Sequence, residues 1–346
     1  MELRNSASQG GCDTLYLHSL LSIGGIGDAG ASPVALLQLP NRCDARMDIL
    51  SIVKSEFGLN VAEYLQNKNR GGVSGSKGLD YENKFATFKL AEHAIILLTH
   101  SIDCKFSPQH LGFADDLVIF NSDIDAHYFQ LKNSVSVSWN KKPHPLYLDF
   151  EYQYMLSSIL GIKRISCQLV ISDMKSTKKL HRLMPRSIAE FSSVFYFPEV
   201  NGIHELRLKM PEFNECIKGL CAFPHEDDKL DAVAIVLNAA WCNAAPSGSA
   251  SIKVSELLGA AKRIQPSYIR WVVNPIPLND KAKKVLENIE NFSYSTDNGF
   301  FSWSWCDGLE SGTLAYDCSD PRFASFQQIL IRSSPSRFSE LEGLLL

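Results

Sequence analysis

Two apolar runs constrain this chain most. Residues 116–120 read Asp-Leu-Val-Ile-Phe, and residues 126–133 read Ala-His-Tyr-Phe-Gln-Leu-Lys-Asn. Asn121-Ser122-Asp123-Ile124-Asp125 lies between them. Branched and aromatic side chains fill the runs while Asn and Asp fill the gap, so the pattern predicts a hairpin of two strands. Side chains alternate across a strand. Asp116, Val118 and Phe120 therefore share one face, and Tyr128, Gln130 and Lys132 share one on the second strand. A carboxylate, an amide and an ammonium group can then project from neighbouring strands toward one point. In so apolar a setting each of them needs a partner. Asp115 points the other way and is expected to cap a turn or lie in solvent.

The surrounding sequence alternates helix and strand. Residues 81–98 predict a helix with Phe85, Phe88, Ala91 and Ile95 on one face. A helix over 150–160 ends at Gly161, a strand covers 167–172, a helix interrupted by Pro185 covers 178–191, and a strand covers 193–197. Such alternation predicts an α/β fold, a mixed sheet flanked by helices.

Before this region, Met47, Ile49, Leu50, Val53, Phe57 and Leu65 fall near helical spacing with Gly58 as an interruption, and residues 69–78 have the composition of a flexible linker. After it, helices are expected over 212–220, 228–241, 254–264 and 280–292. A hairpin is expected where 292–296 and 300–305 flank Asp297-Asn298-Gly299. The expected division is a poorly structured or upstream segment (1–46), an N-terminal helix and linker (47–77), the α/β domain (78–200) and an α+β C-terminal domain (201–346).

Charge and cysteine content narrow the function classes. The net charge of −4 over 346 residues leaves nucleic-acid contact to a local basic patch. Nine cysteines occur without any C-x-x-C pair, and Cys216 and Cys221 have no matching histidine pair, which argues against a zinc ribbon and for a reducing, cytoplasmic location. No apolar run approaches the ~18 residues a membrane helix needs. Gly25-Ile26-Gly27-Asp28-Ala29-Gly30 matches G-x-G-x-x-G, but Pro33 and Pro40 limit any following helix. The glycines over 72–78 lack the Gly-Lys-Ser/Thr of a P-loop, so a nucleotide-driven step would belong to a partner.

Hydrolysing a phosphodiester requires oxygen ligands for a hard divalent cation and a positive group near the developing charge. Asp116, Gln130 and Lys132 offer these, and Glu82 on the preceding helix offers a second carboxylate.

The order Gly78-Leu79-Asp80-Tyr81-Glu82 opening a helix, Asp115-Asp116 before an apolar run, then Gln130-x-Lys132 resembles the restriction-endonuclease-like, PD-(D/E)xK nuclease superfamily. More narrowly, it resembles the double-stranded-DNA endonuclease domains of bacterial anti-phage effectors of CBASS and Lamassu type. The likeness covers roughly residues 78–200. It implies a restriction-endonuclease-like sheet and Mg2+-dependent (or Mn2+-dependent) cleavage of DNA. It also implies a protein partner, a sensor or ATPase subunit of a defence complex, with residues 201–346 restraining or docking the nuclease. By this likeness Asp116 matches the metal aspartate, Gln130 the ligand at the Glu/Gln position, Lys132 the catalytic lysine and Glu82 the helix glutamate. Gln130 replaces the more usual acid and removes one negative charge from the ligand set. A catalytically degenerate nuclease-fold subunit, serving as scaffold or DNA-binding protein, is the competing expectation. An RNA target is a third possibility, although no RNA-specific module is present.

A basic cluster follows the strand over 167–172. Lys175, Lys178, Lys179 and Arg182 are candidates for phosphate contact, with Lys178 and Arg182 one helical turn apart; a solvated helix face is the alternative. His93 and His127 read as structural. Phe300, Phe301, Trp303 and Trp305 read as a sheet face or partner surface.

Overall fold

The amide ladder shows why the hairpin dominates this molecule: it is the middle of a six-stranded mixed sheet. A computed structural model describes residues 42–71, 76–134, 136–223, 226–244, 250–265, 268–270, 277–296 and 299–345. The segment 1–41 with its glycine motif, positions 72–75 of the expected linker, and Asp297-Asn298 lie outside the described residues.

Helices α1 (Arg42–Phe57), α2 (Leu59–Gly71) and α3 (Ser76–His100) precede the sheet. Strands β1 (Lys105–Pro108), β2 (Leu117–Ser122) and β3 (Asp125–Lys132) then pair antiparallel in succession. Helix α4 (Leu146–Ile159) crosses over to β4 (Arg164–Ile171), and α5 (Met174–Arg182) leads to β5 (Ser192–Tyr196). Both of these strands run parallel to their neighbours, which is why helical crossovers join them. The strand order is β5-β4-β3-β2-β1-β6, where β6 (Ile252–Lys253) closes onto β1. The architecture is thus α/β, with a mixed sheet covered by helices on both faces.

The expected boundary at 200/201 does not separate two cores. Helix α3 is buried around most of its circumference, at Tyr81, Phe85, Ala86, Phe88, Leu90, Ala91 and Ala94, so one sheet face cannot cover it. Helices α6 (Ile203–Lys209), α7 (Pro211–Leu220), α8 (Asp227–Ala244) and α9 (Val254–Ile264) supply the second layer. Phe213, Leu237, Trp241 and Leu257 join Phe85, Phe106, Phe129 and Phe197 in one core. The opposite sheet face carries Val118, Ala126, Tyr128 and Leu169 against Trp139, Phe150 and Leu180.

The helix expected before the sheet domain is present as two, and the second, Leu59–Gly71, runs into the stretch expected to be linker. Gly58, with φ +91°, turns α1 into α2, as its position as an interruption suggested. Val53, Ala62 and Leu65 pack with Leu111, Phe113 and Leu156, which docks α2 onto the sheet domain.

The chain ends in a smaller unit with its own core. Helix α10 (Asp280–Glu287), strands β7 (Phe292–Ser295), β8 (Phe300–Trp305) and β9 (Glu310–Asp317), and helices α11 (Pro321–Ser333) and α12 (Phe338–Leu345) surround Phe301, Phe323, Phe326, Leu330 and Leu341. The aromatic alternation in β8 is a sheet face: Phe301 and Trp303 are buried, and Trp305 stacks on Phe338. An ion pair between Lys262 of α9 and Asp317 of β9 ties this unit to the larger one. No described helix is long and apolar enough to cross a membrane.

Candidate functional site

The loop between β1 and β2 presents the acidic pair, and its shape comes from hydrogen bonds rather than apolar pattern. The backbone N–H groups of Gln109 and His110 donate to the carbonyls of Asp116 and Asp115 at 3.3 and 2.9 Å. Gln153 of α4 accepts the N–H groups of Phe113 (2.7 Å) and Ala114 (3.3 Å) on one amide oxygen and donates to Ser157 at 3.0 Å. A Cβ on Gly112 would stand 2.6 Å from that oxygen, so glycine permits the close approach.

Asp116 sits at the mouth of β2. Its Oδ2 accepts the side-chain N–H of Gln130 and the backbone N–H of Leu131, the latter at 2.6 Å. Among the described residues its Oδ1 accepts no hydrogen bond. Glu82 reaches the same place from α3, where its Oε2 accepts from Gln109 Nε2 at 2.8 Å. Gln109 therefore holds Glu82 with its side chain and Asp116 with its backbone.

The electrostatics agree with a crowded acidic site. Burial and the neighbouring Asp116 carboxylate push the Glu82 carboxyl well above the usual carboxylate range, against the pull of Gln109 and Lys132. Burial pushes Asp115 up as well; Lys68 and Lys132 oppose this and Asp116 adds to it. Lys132 is half-buried, and among the described residues its ammonium has no hydrogen-bond or ion-pair partner, although its charge acts on both carboxyls.

Behind this edge lies a cluster that sequence reasoning missed. Tyr64 and Lys68 stand one turn apart on α2 and both donate to Asp149 Oδ2 in the first turn of α4, at 3.1 and 3.0 Å. Lys68 also donates to Gln130 Oε1 at 2.9 Å and to the Phe113 carbonyl. Although burial works against its charge, Asp115 and Asp149 hold the Lys68 ammonium above its ordinary range. The available signal was an acid, Asp149, in the otherwise apolar stretch Leu146-Tyr147-Leu148-Asp149-Phe150.

The structure thus joins Glu82, Asp116 and Gln130 in one hydrogen-bonded chain, with Lys132 beside them. It alters two expectations. Asp115 is neither a cap nor solvent-exposed: it is 3% exposed, its Oδ1 has no hydrogen bond among the described residues, and Lys68 lies 3.6 Å from it. The Gln130 amide spans Lys68 and Asp116. Lysine only donates and a carboxylate only accepts, so the oxygen must face Lys68 and the nitrogen Asp116. The amide oxygen is turned away from Asp116 instead of standing beside it as a second ligand.

The described residues contain no group of three or more His, Cys, Asp or Glu side chains able to hold a metal ion. Mg2+ demands less, since it keeps several waters and binds through one or two carboxylates plus substrate phosphates. Asp116, with a free oxygen, and Glu82 beside it meet that smaller demand.

The basic cluster lies at the same end of the sheet. Lys132 pairs in register with Ile171, two residues before Asp173, the residue that caps α5 by accepting the Ser176 N–H at 2.6 Å. Lys175, Lys178, Lys179 and Arg182 are all exposed on that helix and have no carboxylate ion-pair partner among the described residues. His93 lies against Phe106 with its Nδ1 2.9 Å from the Lys89 carbonyl, and His127 faces Asp125 at 3.5 Å.

Comparisons with family models, with curated proteins and with solved structures find no match for this chain.

Proposed function

We propose that this chain is a metal-dependent DNA endonuclease of restriction-endonuclease-like fold, with its active site at the edge formed by Glu82, Asp116, Gln130 and Lys132. The observation that carries this reading is the unpaired Lys132 ammonium near the carboxylates of Glu82 and Asp116, two residues that Gln109 joins through its side chain and its backbone N–H. A half-buried charge left unpaired at the end of an interior strand is costly and marks a functional site. The order helix, antiparallel strands, helix, parallel strand supports the fold assignment. The resemblance of residues 78–200 supports duplex DNA as substrate and an anti-phage role.

Asp116 and Glu82 hold Mg2+ or Mn2+ in this reading. The bound ion supplies neutralisation of the scissile phosphate and a lowered pKa for an attacking water. Asp116 uses Oδ1, because Gln130 and Leu131 fix Oδ2. Gln109 orients Glu82. Lys132 donates to the attacking water or to a phosphate oxygen as negative charge accumulates there. Lys175, Lys178, Lys179 and Arg182 grip the DNA backbone. The C-terminal unit, which has its own core, is the part offered to a sensor or ATPase partner.

Plasmid cleavage by the purified chain with Mg2+ or Mn2+, beside Lys132→Ala, tests this. The variant is expected to lose on the order of 100-fold in rate. Cleavage unchanged by the substitution refutes the site. One observation favours a second reading, a degenerate nuclease-fold scaffold: the Gln130 oxygen is committed to Lys68. That reading predicts DNA binding without cleavage, even with the partner supplied.

A further inference from the structure

Lys68 ends in a nest of oxygens. Its ammonium donates to the Phe113 carbonyl, to Gln130 Oε1 at 2.9 Å and to Asp149 Oδ2 at 3.0 Å, with Asp115 Oδ1 at 3.6 Å. An ammonium has three protons, and all three are used. The oxygens come from the loop before β2, from β3 and from α4, whereas the lysine comes from α2. Two carboxylates, an amide oxygen and a main-chain carbonyl are the ligand types of a hard cation. Asp115 Oδ1 is buried without a hydrogen bond among the described residues, as an oxygen directed at a charge rather than at a proton would be.

We propose that this nest is a cation-binding site with a tethered occupant: the Lys68 ammonium stands where a free metal ion would otherwise bind. By filling it, Lys68 fixes the Gln130 amide with its N–H end toward Asp116. Lys68 is therefore a positioning residue acting on Asp116 through Gln130. The cation site stands on its own geometry, whereas the positioning role rests on the nuclease reading above.

Binding of Mn2+ to the full chain, counted by electron paramagnetic resonance, separates the two parts. Lys68→Ala is expected to bind one Mn2+ more than the unsubstituted chain, and Lys68→Ala/Asp149→Asn to lose that extra ion. Equal counts for Lys68→Ala and the unsubstituted chain overturn the cation site. If Lys68→Ala fails to fold, its refolding is followed by circular dichroism with Mn2+ or with propylammonium, which replaces the deleted atoms. Recovery with either supports the site, and failure with both overturns it. For the positioning role, Lys68→Met is expected to lower kcat about tenfold with KM unchanged, a split that general loosening of the fold does not give. An unchanged kcat overturns that role. Should the unsubstituted chain not cleave at all, the nuclease reading and the positioning role fall together, and the Mn2+ count still decides the cation site.

Discussion

Gln153 on α4 accepts the backbone N–H of Phe113 at 2.7 Å, which makes a helix following the hairpin responsible for the loop preceding it. Gln153→Leu leaves the Phe113 and Ala114 N–H groups buried without acceptors, and unsatisfied buried groups cost about 1–3 kcal/mol each. We expect urea unfolding to show a loss of roughly 2–4 kcal/mol. Gly112→Ala should destabilise too, because its Cβ meets the same oxygen. A loss under about 0.5 kcal/mol in both variants, within the usual range of inert surface changes, means that the loop is held by other contacts.

Gln130→Glu tests the direction of the amide. The substitution replaces the N–H donor facing Asp116 with an oxygen, so two carboxylates meet at hydrogen-bond range. The variant should be less stable than the unsubstituted protein in EDTA by about 1–3 kcal/mol and melt lower, and Mg2+ should raise its Tm more than that of the unsubstituted protein. Scanning calorimetry showing no difference in EDTA contradicts an amide whose N–H faces Asp116.

The basic helix makes a prediction about salt. Each phosphate contact contributes close to one unit to the slope of log binding constant against log salt. Lys178→Ala/Arg182→Ala should reduce that slope by about 2 for a labelled duplex titrated at increasing KCl, uniformly across sequences. An unchanged slope returns the helix to the solvent.

His93 carries a pH dependence. Burial, opposed by Glu92 and the Lys89 carbonyl, lowers its pKa to about 4 from an ordinary 6.5. Between these values the unfolded chain binds a proton that the folded chain does not. Stability from this group is therefore complete above pH 6.5 and is lost as pH falls through 6.5 toward 4. Urea denaturation at several pH values should show His93→Gln less acid-sensitive over that window. Identical acid profiles for the two proteins would reject the shift.

The hairpin and α3 were legible because each repeats a period: alternation in 116–120 and 126–133, and a helical stripe from Phe85 to Ile95. That same alternation set Gln130 and Lys132 on one face. Strand alternation does not govern Asp115, because β2 begins at Leu117 and the loop before it takes its shape from Gln153, 40 residues from Phe113. Lys68 is hidden for a related reason. Its neighbours Asn67, Asn69, Arg70 and Gly71 have loop composition, yet the helix continues through them, held by Leu65 against Phe113 and Leu156. Gln109 has no pattern to reveal it, since its role depends on a backbone N–H and a side chain acting together.

The two-residue strand Ile252–Lys253 bonds to Lys105 and Phe106, almost 150 positions earlier. Until the ribosome has released that segment, β1 is an open edge with unpaired N–H and C=O groups, and α3 has apolar surface without its second layer. Such edges recruit other strands, and contacts this distant form slowly. Chains caught before synthesis reaches the second layer, or cut near residue 200, should collect as aggregates, so the activity proposed for the first two hundred residues can emerge only after most of the chain exists.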